Sequence, residues 1–266
     1  MIRLAILMCW VFMLPASAIA QDGTAARKPL TITGDTIGVL RDHQVGSIIL
    51  PRGNPPYPAV VVLHGCNGVS SSTRIWARRL ASWGYAALIV DSFTPRGISN
   101  VCGHGMTLSG RERAADALAA AAYLRSRNDI DPAHIGVLGY SHGGWSALAA
   151  ARENIVKASN TAPFAAVVAY YPNCSPGTPR LMSDVQILAG AADDWARASR
   201  CTALVERYAD AAAHKPLLKI YPEAMHSFDV KRPNRVYFGH RLAYDAKAAA
   251  DSFDVTKQFL DSHLRP

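Results

Sequence analysis

The stretch Ile135–Ser146, IGVLGYSHGGWS, constrains this chain more than any other. Ile135–Leu138 is a short apolar run of strand character, and Gly139-Tyr140-Ser141-His142-Gly143 follows it directly. Gly-x-Ser-x-Gly between a strand and a helix is the sharp turn that holds a serine hydroxyl exposed on a strained backbone. The glycines answer a steric demand: neighbouring elements pass so close that a Cβ at Gly139 or Gly143 would clash. Gly144 is expected to open the following helix, whose N-terminus places partial positive charge beneath the serine. The strand before and the apolar helix after make this short pattern specific.

The same alternation runs through the chain. Val45–Leu50 reads as an early strand. Ala59–Leu63, AVVVL, is a continuous β-branched run that suits a strand buried on both faces of a parallel sheet. Further strands are expected at Tyr85–Val90, Phe164–Tyr171, Val185–Ala189 and Leu217–Tyr221. Helices are expected at Arg74–Trp83, Arg111–Arg127, Trp145–Glu153, Cys201–Ala213 and, with amphipathic spacing, 243–263. Residues 94–108 and Pro172–Ser183 read as loops. Strands alternating with helices predict an α/β fold, a mostly parallel open sheet with helices on both faces. No linker or internal repeat divides the chain, so residues 21–266 are expected to form one domain.

Residues 1–20 read as a secretory signal: Arg3 in the basic region, Leu4–Leu14 as the apolar region, and Ala18-Ile19-Ala20 before the cut. The apolar region is short for a membrane span, so cleavage after Ala20 and export, to a periplasm or medium, are expected, with no stable membrane anchor. The formal charge of +8 is spread along the chain rather than run together, and no nucleic-acid motif accompanies it. Of five cysteines, Cys9 lies in the signal. The even set left in an exported chain points to two disulfides. Cys66 and Cys102 follow strands expected to be neighbours. Cys174 follows a later strand, and Cys201 begins the helix beyond the Asp193 loop. The pairs expected are therefore Cys66–Cys102 and Cys174–Cys201.

A serine hydroxyl is a poor nucleophile until a positioned base takes its proton. After Ser141 the chain offers Asp193 just past one strand and His226 just past the next, in the order serine, carboxylate, histidine. All three positions fall at carboxyl ends of strands, where active groups gather in open parallel sheets. Asp194 remains the alternative to Asp193. Two N–H donors must face the oxyanion of a tetrahedral intermediate. The His142 amide is one, and the Cys66 amide, in the His64-Gly65-Cys66-Asn67-Gly68 loop, is the other. The His142 ring is not expected to be the base, and His64 reads as structural. His43, His134, His214 and His263 read as surface histidines. Cys102-x-His104 is too small a cluster for a metal site, and no metal is expected.

These residues resemble the dienelactone hydrolase family of the α/β-hydrolases. The resemblance rests on His64-Gly65-Cys66, Asp91-Ser92-Phe93-x-Pro95-Arg96-Gly97, Gly139–Gly144, Gly190-x-x-Asp193-Asp194-Trp195, Met225-His226-Ser227-Phe228 and Tyr244-Asp245-Ala246. It implies one open-sheet domain, no cofactor, and hydrolysis of small esters or lactones through a Cys or Ser triad. It also places the triad aspartate at Asp193, leaving Asp194 to point to solvent or cap the next helix. This chain has Ser141 where the founding members carry cysteine, which suits a broader carboxylesterase. A serine peptidase and a non-catalytic binding protein on the same scaffold are the competing expectations.

Overall fold

The valine run explains the architecture. Ala59, Val61 and Leu63 face one layer of the core and Val60 and Val62 face the other, all fully buried. A strand alternates its side chains between faces, so a strand with no polar face needs helices on both.

The computed structural model describes residues 39–40, 43–44, 46–175, 180–209, 211 and 213–265. The expected signal 1–20 and the lead 21–30 lie outside the described residues, as does part of the 172–183 loop. In chain order the strands are β1 (Val39–Leu40), β2 (His43–Gln44), β3 (Gly46–Ile49), β4 (Tyr57–Leu63), β5 (Ala86–Val90), β6 (Ile130–Tyr140), β7 (Ala166–Tyr170), β8 (Asp184–Gly190), β9 (Leu217–Tyr221), β10 (Arg235–Tyr237) and β11 (His240–Leu242). The helices are α1 (Ser71–Ser82), α2 (Gly110–Arg125), α3 (His142–Ala150), α4 (Glu153–Ser159), α5 (Ala198–Glu206) and α6 (Ala246–Leu264). The main sheet runs β3-β5-β4-β6-β7-β8-β9. Only β3 is antiparallel to its neighbour. Helices α1 and α6 pack on one face. Helices α2 to α5 pack on the other.

Several boundaries differ from the sequence reading. Helix α3 begins at His142 rather than Trp145, because the strand passes into the helix through Ser141 alone. Helix α2 begins at Gly110, where Ser109 Oγ accepts from the Glu112 amide at 3.3 Å and Glu112 Oε2 accepts from the Ser109 amide at 2.7 Å. This reciprocal cap satisfies two amides that a helix start leaves open. Asp245 caps α6 through the amides of Lys247 and Ala248. Beyond β9 the chain also makes the β10–β11 hairpin, which the sequence reading did not expect.

Candidate active site

Ser141 occupies the crossing from β6 to α3, with φ 56° and ψ −120°. That region is costly for any residue bearing a Cβ. The turn is held because Ser141 N–H donates to Tyr170 O at 2.9 Å on neighbouring β7. A Cβ on Gly139 would lie 2.1 Å from Gly143 O, and one on Gly143 would lie 2.2 Å from Leu63 O. Both glycines are therefore demanded by backbone approaching backbone.

The ends of β8 and β9 supply the partners. Ala191 N–H donates to Tyr221 O and Ala192 N–H to Ala224 O, which locks the two loops together. His226 Nδ1 then lies 2.8 Å from Asp193 Oδ2, and His226 Nε2 lies 2.9 Å from Ser141 Oγ. The second Asp193 oxygen accepts from the amides of Trp195 and Ala196, each at 2.8 Å. With Asp193 as acceptor, the imidazole proton belongs on Nδ1, and Nε2 is left free to accept from the serine hydroxyl. Asp193 and His226 are buried. The His226 ring lies between Tyr171, at 4.7 Å between centroids, and Trp195, at 5.0 Å.

Asp194 is solvent-exposed, as expected, and also reaches the hairpin. Its carboxylate accepts from the Arg241 amide at 3.2 Å and pairs with His240 at 3.3 Å. From the surface it ties the hairpin to the site, and it does not cap α5. His240 also stacks on Trp195 at 4.7 Å, so Trp195 stands between two imidazoles.

Cys66 and His142 flank Ser141 from the ends of β4 and β6. Among the described residues, neither backbone N–H has a hydrogen-bonding partner within the chain. Cys66 is disulfide-bonded to Cys102, and Cys174 to Cys201. The Cys66 carbonyl accepts from Val101 N–H at 2.8 Å, so the bridge and this bond together hold the 98–108 loop against β4. The His142 ring is committed elsewhere: Nδ1 faces Arg113 Nη1 at 2.8 Å and Nε2 faces Gly105 O at 3.0 Å. Burial and the Arg113 charge pull its pKa down to about 4. His64 is fully buried, and burial followed by Arg113 pulls its pKa well below the ordinary range. His134 pairs with Asp131, while His214 and His263 share Asp184; the side chain of His43 is not described. Among the described residues, no group of three or more His, Cys, Asp or Glu is arranged to hold a metal ion. Nor is any described helix long and apolar enough to cross a membrane.

Two hollows open on Ser141 and His226. One, of about 40 Å³, is walled by Ser70, Ser72, Arg232, Arg235 and Tyr237. The other, of about 190 Å³, is walled by the Cys66–Cys102 bridge, Val101, Trp145, Asn173, Trp195 and Arg200. Tyr171 borders both. Its hydroxyl donates to the buried carboxylate of Asp229 at 2.6 Å, and Trp76 Nε1 donates to the other oxygen at 2.8 Å. Burial raises the Asp229 pKa above the usual carboxylate range. Tyr171, Trp195 and Tyr237 were not anticipated. Tyr171 and Trp195 follow sheet strands at their carboxyl ends, a position that could have marked them.

Residues 45–264 match the sequence profile of the dienelactone hydrolase family. A carboxymethylenebutenolidase candidate from Synechocystis sp. is 25% identical over 239 residues, spanning 83% of this chain and 92% of its own. In fold the chain is similar to a dienelactone hydrolase-like promiscuous phosphotriesterase from metagenomic libraries. The TM-score is 0.65, with 24% identity over 82% of this chain and 92% of that one. A thermophilic esterase of the Planctomycetes species Thermogutta terrifontis is similar with a TM-score of 0.60 and 16% identity, over 85% and 93% of the two chains. Since the profile runs through every strand of the main sheet, the chain belongs to the dienelactone hydrolase family and is a carboxylic ester hydrolase.

Proposed function

We propose that this chain is an exported serine hydrolase of small esters or lactones, working through Ser141, His226 and Asp193 by an acyl-enzyme. The observation that carries the reading is the unbroken line from Ser141 Oγ to His226 Nε2 and from His226 Nδ1 to Asp193 Oδ2. Ser141 Oγ attacks the ester carbonyl carbon while its proton passes to His226 Nε2. Asp193 stabilises the imidazolium that forms. The carbonyl oxygen becomes an oxyanion facing the amides of Cys66 and His142. These donors strengthen as charge develops, which lowers the barrier rather than merely binding substrate. Collapse breaks the bond to the alcohol oxygen, which leaves with the proton from His226. Water then repeats the sequence on the acyl-serine and releases the acid.

The small hollows favour short acyl and alcohol groups, and the name of the Synechocystis relative favours lactones among the substrates. Two disulfides suit an oxidising compartment, which supports export under the direction of residues 1–20. The two core layers wrap one sheet, which supports a single domain over 21–266. The test is turnover by the purified chain of short p-nitrophenyl esters, a five-membered unsaturated lactone and chromogenic dipeptide amides. Ester and lactone turnover with inert amides is expected. Amide turnover without ester turnover would instead favour a peptidase, and no turnover of any would favour a binding protein.

A further inference from the structure

Arg113 is fully buried in the first turns of α2, a costly place for a cation. Its Nη2 donates to His64 O at 2.8 Å, and its Nη1 donates to His142 Nδ1 at 2.8 Å. Its guanidinium also lies 5.0 Å from the centre of the Phe93 ring. Burial lowers its pKa to about 10, which leaves it charged at neutral pH. One rigid fork thus grips the two loops that flank Ser141. The planar guanidinium can do this with two fixed donors, whereas an ammonium is a single point.

The grip passes on through the histidine rings. His64 Nδ1 lies 2.7 Å from Gly65 O, and His64 Nε2 accepts from Ser92 N–H at 3.3 Å. His64 is therefore neutral with its proton on Nδ1, donated to Gly65 O. That carbonyl belongs to the same peptide as the Cys66 N–H. In a planar trans peptide the C=O and N–H point opposite ways, so fixing Gly65 O aims the Cys66 N–H. On the other loop, Arg113 donates to His142 Nδ1, which puts the His142 proton on Nε2 and donates it to Gly105 O. The residue whose amide is the second donor is then held at both ring nitrogens.

We infer that Arg113 is a positioning residue for both oxyanion donors, setting the Cys66 amide through His64 and the His142 amide through the His142 ring. The inference rests on the proposed hydrolase reading. A group that aims transition-state donors affects kcat rather than KM. Arg113→Gln and Arg113→Lys, compared per active site by fluorophosphonate titration on a p-nitrophenyl ester, should lose about 10- to 100-fold in kcat with KM within about threefold. This is less than outright loss of one donor. A trifluoromethyl ketone, which forms a tetrahedral oxyanion on the serine, should weaken in step with kcat, and the product acid should not. Lysine should restore only a fraction of the loss. A kcat per site within twofold of the parent, or a KM change alone, would overturn the inference. Should the Arg113 variants fail to fold, His142→Ala removes one arm of the grip and keeps the amide. It should show the same kcat-only pattern at smaller size, and parent-like kcat there would overturn it too. An inactive, unlabelled parent would overturn the hydrolase reading itself; an active parent matched by its variants overturns only the role of Arg113.

Discussion

The two walls of the site are built differently. The wall bearing Ser141, Cys66 and His142 is backed by buried groups: every residue of α3 is buried, as are Leu63, His64 and Arg113. It is tied by a disulfide and by a guanidinium that reaches both loops. The wall bearing Asp193 and His226 is less uniform: both side chains are buried at the ends of β8 and β9, but β9 is half-exposed and the β10–β11 hairpin beside it carries Val236 and Phe238 at 68% and 55% exposed. A backbone bridge from His226 to Leu242, the Asp194 contacts and the Trp195–His240 stack fasten that hairpin. Exposed ion pairs of this kind contribute about 0–1 kcal/mol. On the proposed mechanism the contrast is a division of labour: the buried wall fixes where charge develops, and the more exposed wall frames what enters.

Removing the reacting atom of the buried wall should have the largest effect. Ser141→Ala is expected to lower kcat by up to about 10⁶ with folding intact; retained esterase activity in that variant would break the comparison at its root. On the other wall, Asp193→Asn should cost roughly 10⁴ in kcat, because an amide cannot stabilise the imidazolium and favours the wrong tautomer. Asp194→Asn should stay within about tenfold, a barrier change of roughly 1.4 kcal/mol, since Asp194 holds only the hairpin. Steady-state kinetics on both variants separates these neighbours, and a reversed order would reassign the carboxylate.

Acid should find the buried wall first. His64 and His142 are held neutral, with folded pKa values below the ordinary 6.5, that of His142 at about 4. Below pH 6.5 the unfolded chain therefore binds more protons than the folded one, so stability falls as pH drops from 6.5 toward 4. Each histidine adds about 1.4 kcal/mol per pH unit to the slope. Thermal melting across that range should show the decline, and His142→Gln should make it shallower; an unchanged slope would place the acid sensitivity elsewhere. The smallest effect belongs to the exposed wall. Tyr237→Ala opens one side of the smaller hollow and should raise KM about three- to tenfold for a bulky ester while leaving kcat within about threefold, roughly 1 kcal/mol of ground-state binding. A kcat loss without a KM change would show that the hairpin shapes chemistry as well as entry.

The sheet was legible because both of its faces are covered: Ala59–Leu63 and Ile135–Leu138 are apolar without alternation, and turn residues bound them. That Ser141, Asp193 and His226 come together was legible because chain order and strand ends locate them without side-chain detail. The hairpin was not, because its strands are three residues each, only partly buried, and carry no alternation of apolar and polar positions. Missing the hairpin also hid His240 and Arg241, the partners of exposed Asp194. Arg113 escaped for a different reason. On an alanine-rich helix an arginine reads as a solvent-facing residue, and its partners lie 29 and 49 positions away. The start of α2 was in fact written in the sequence, as Ser109 and Glu112 at capping spacing.

Mapping the adduct of a fluorophosphonate by peptide mass spectrometry tests the assignment of the nucleophile most directly. One label per chain is expected, on the peptide carrying Ser141, absent from Ser141→Ala and slowed far more by Asp193→Asn than by Asp194→Asn. A label on another residue, or undiminished labelling of Ser141→Ala, would contradict it.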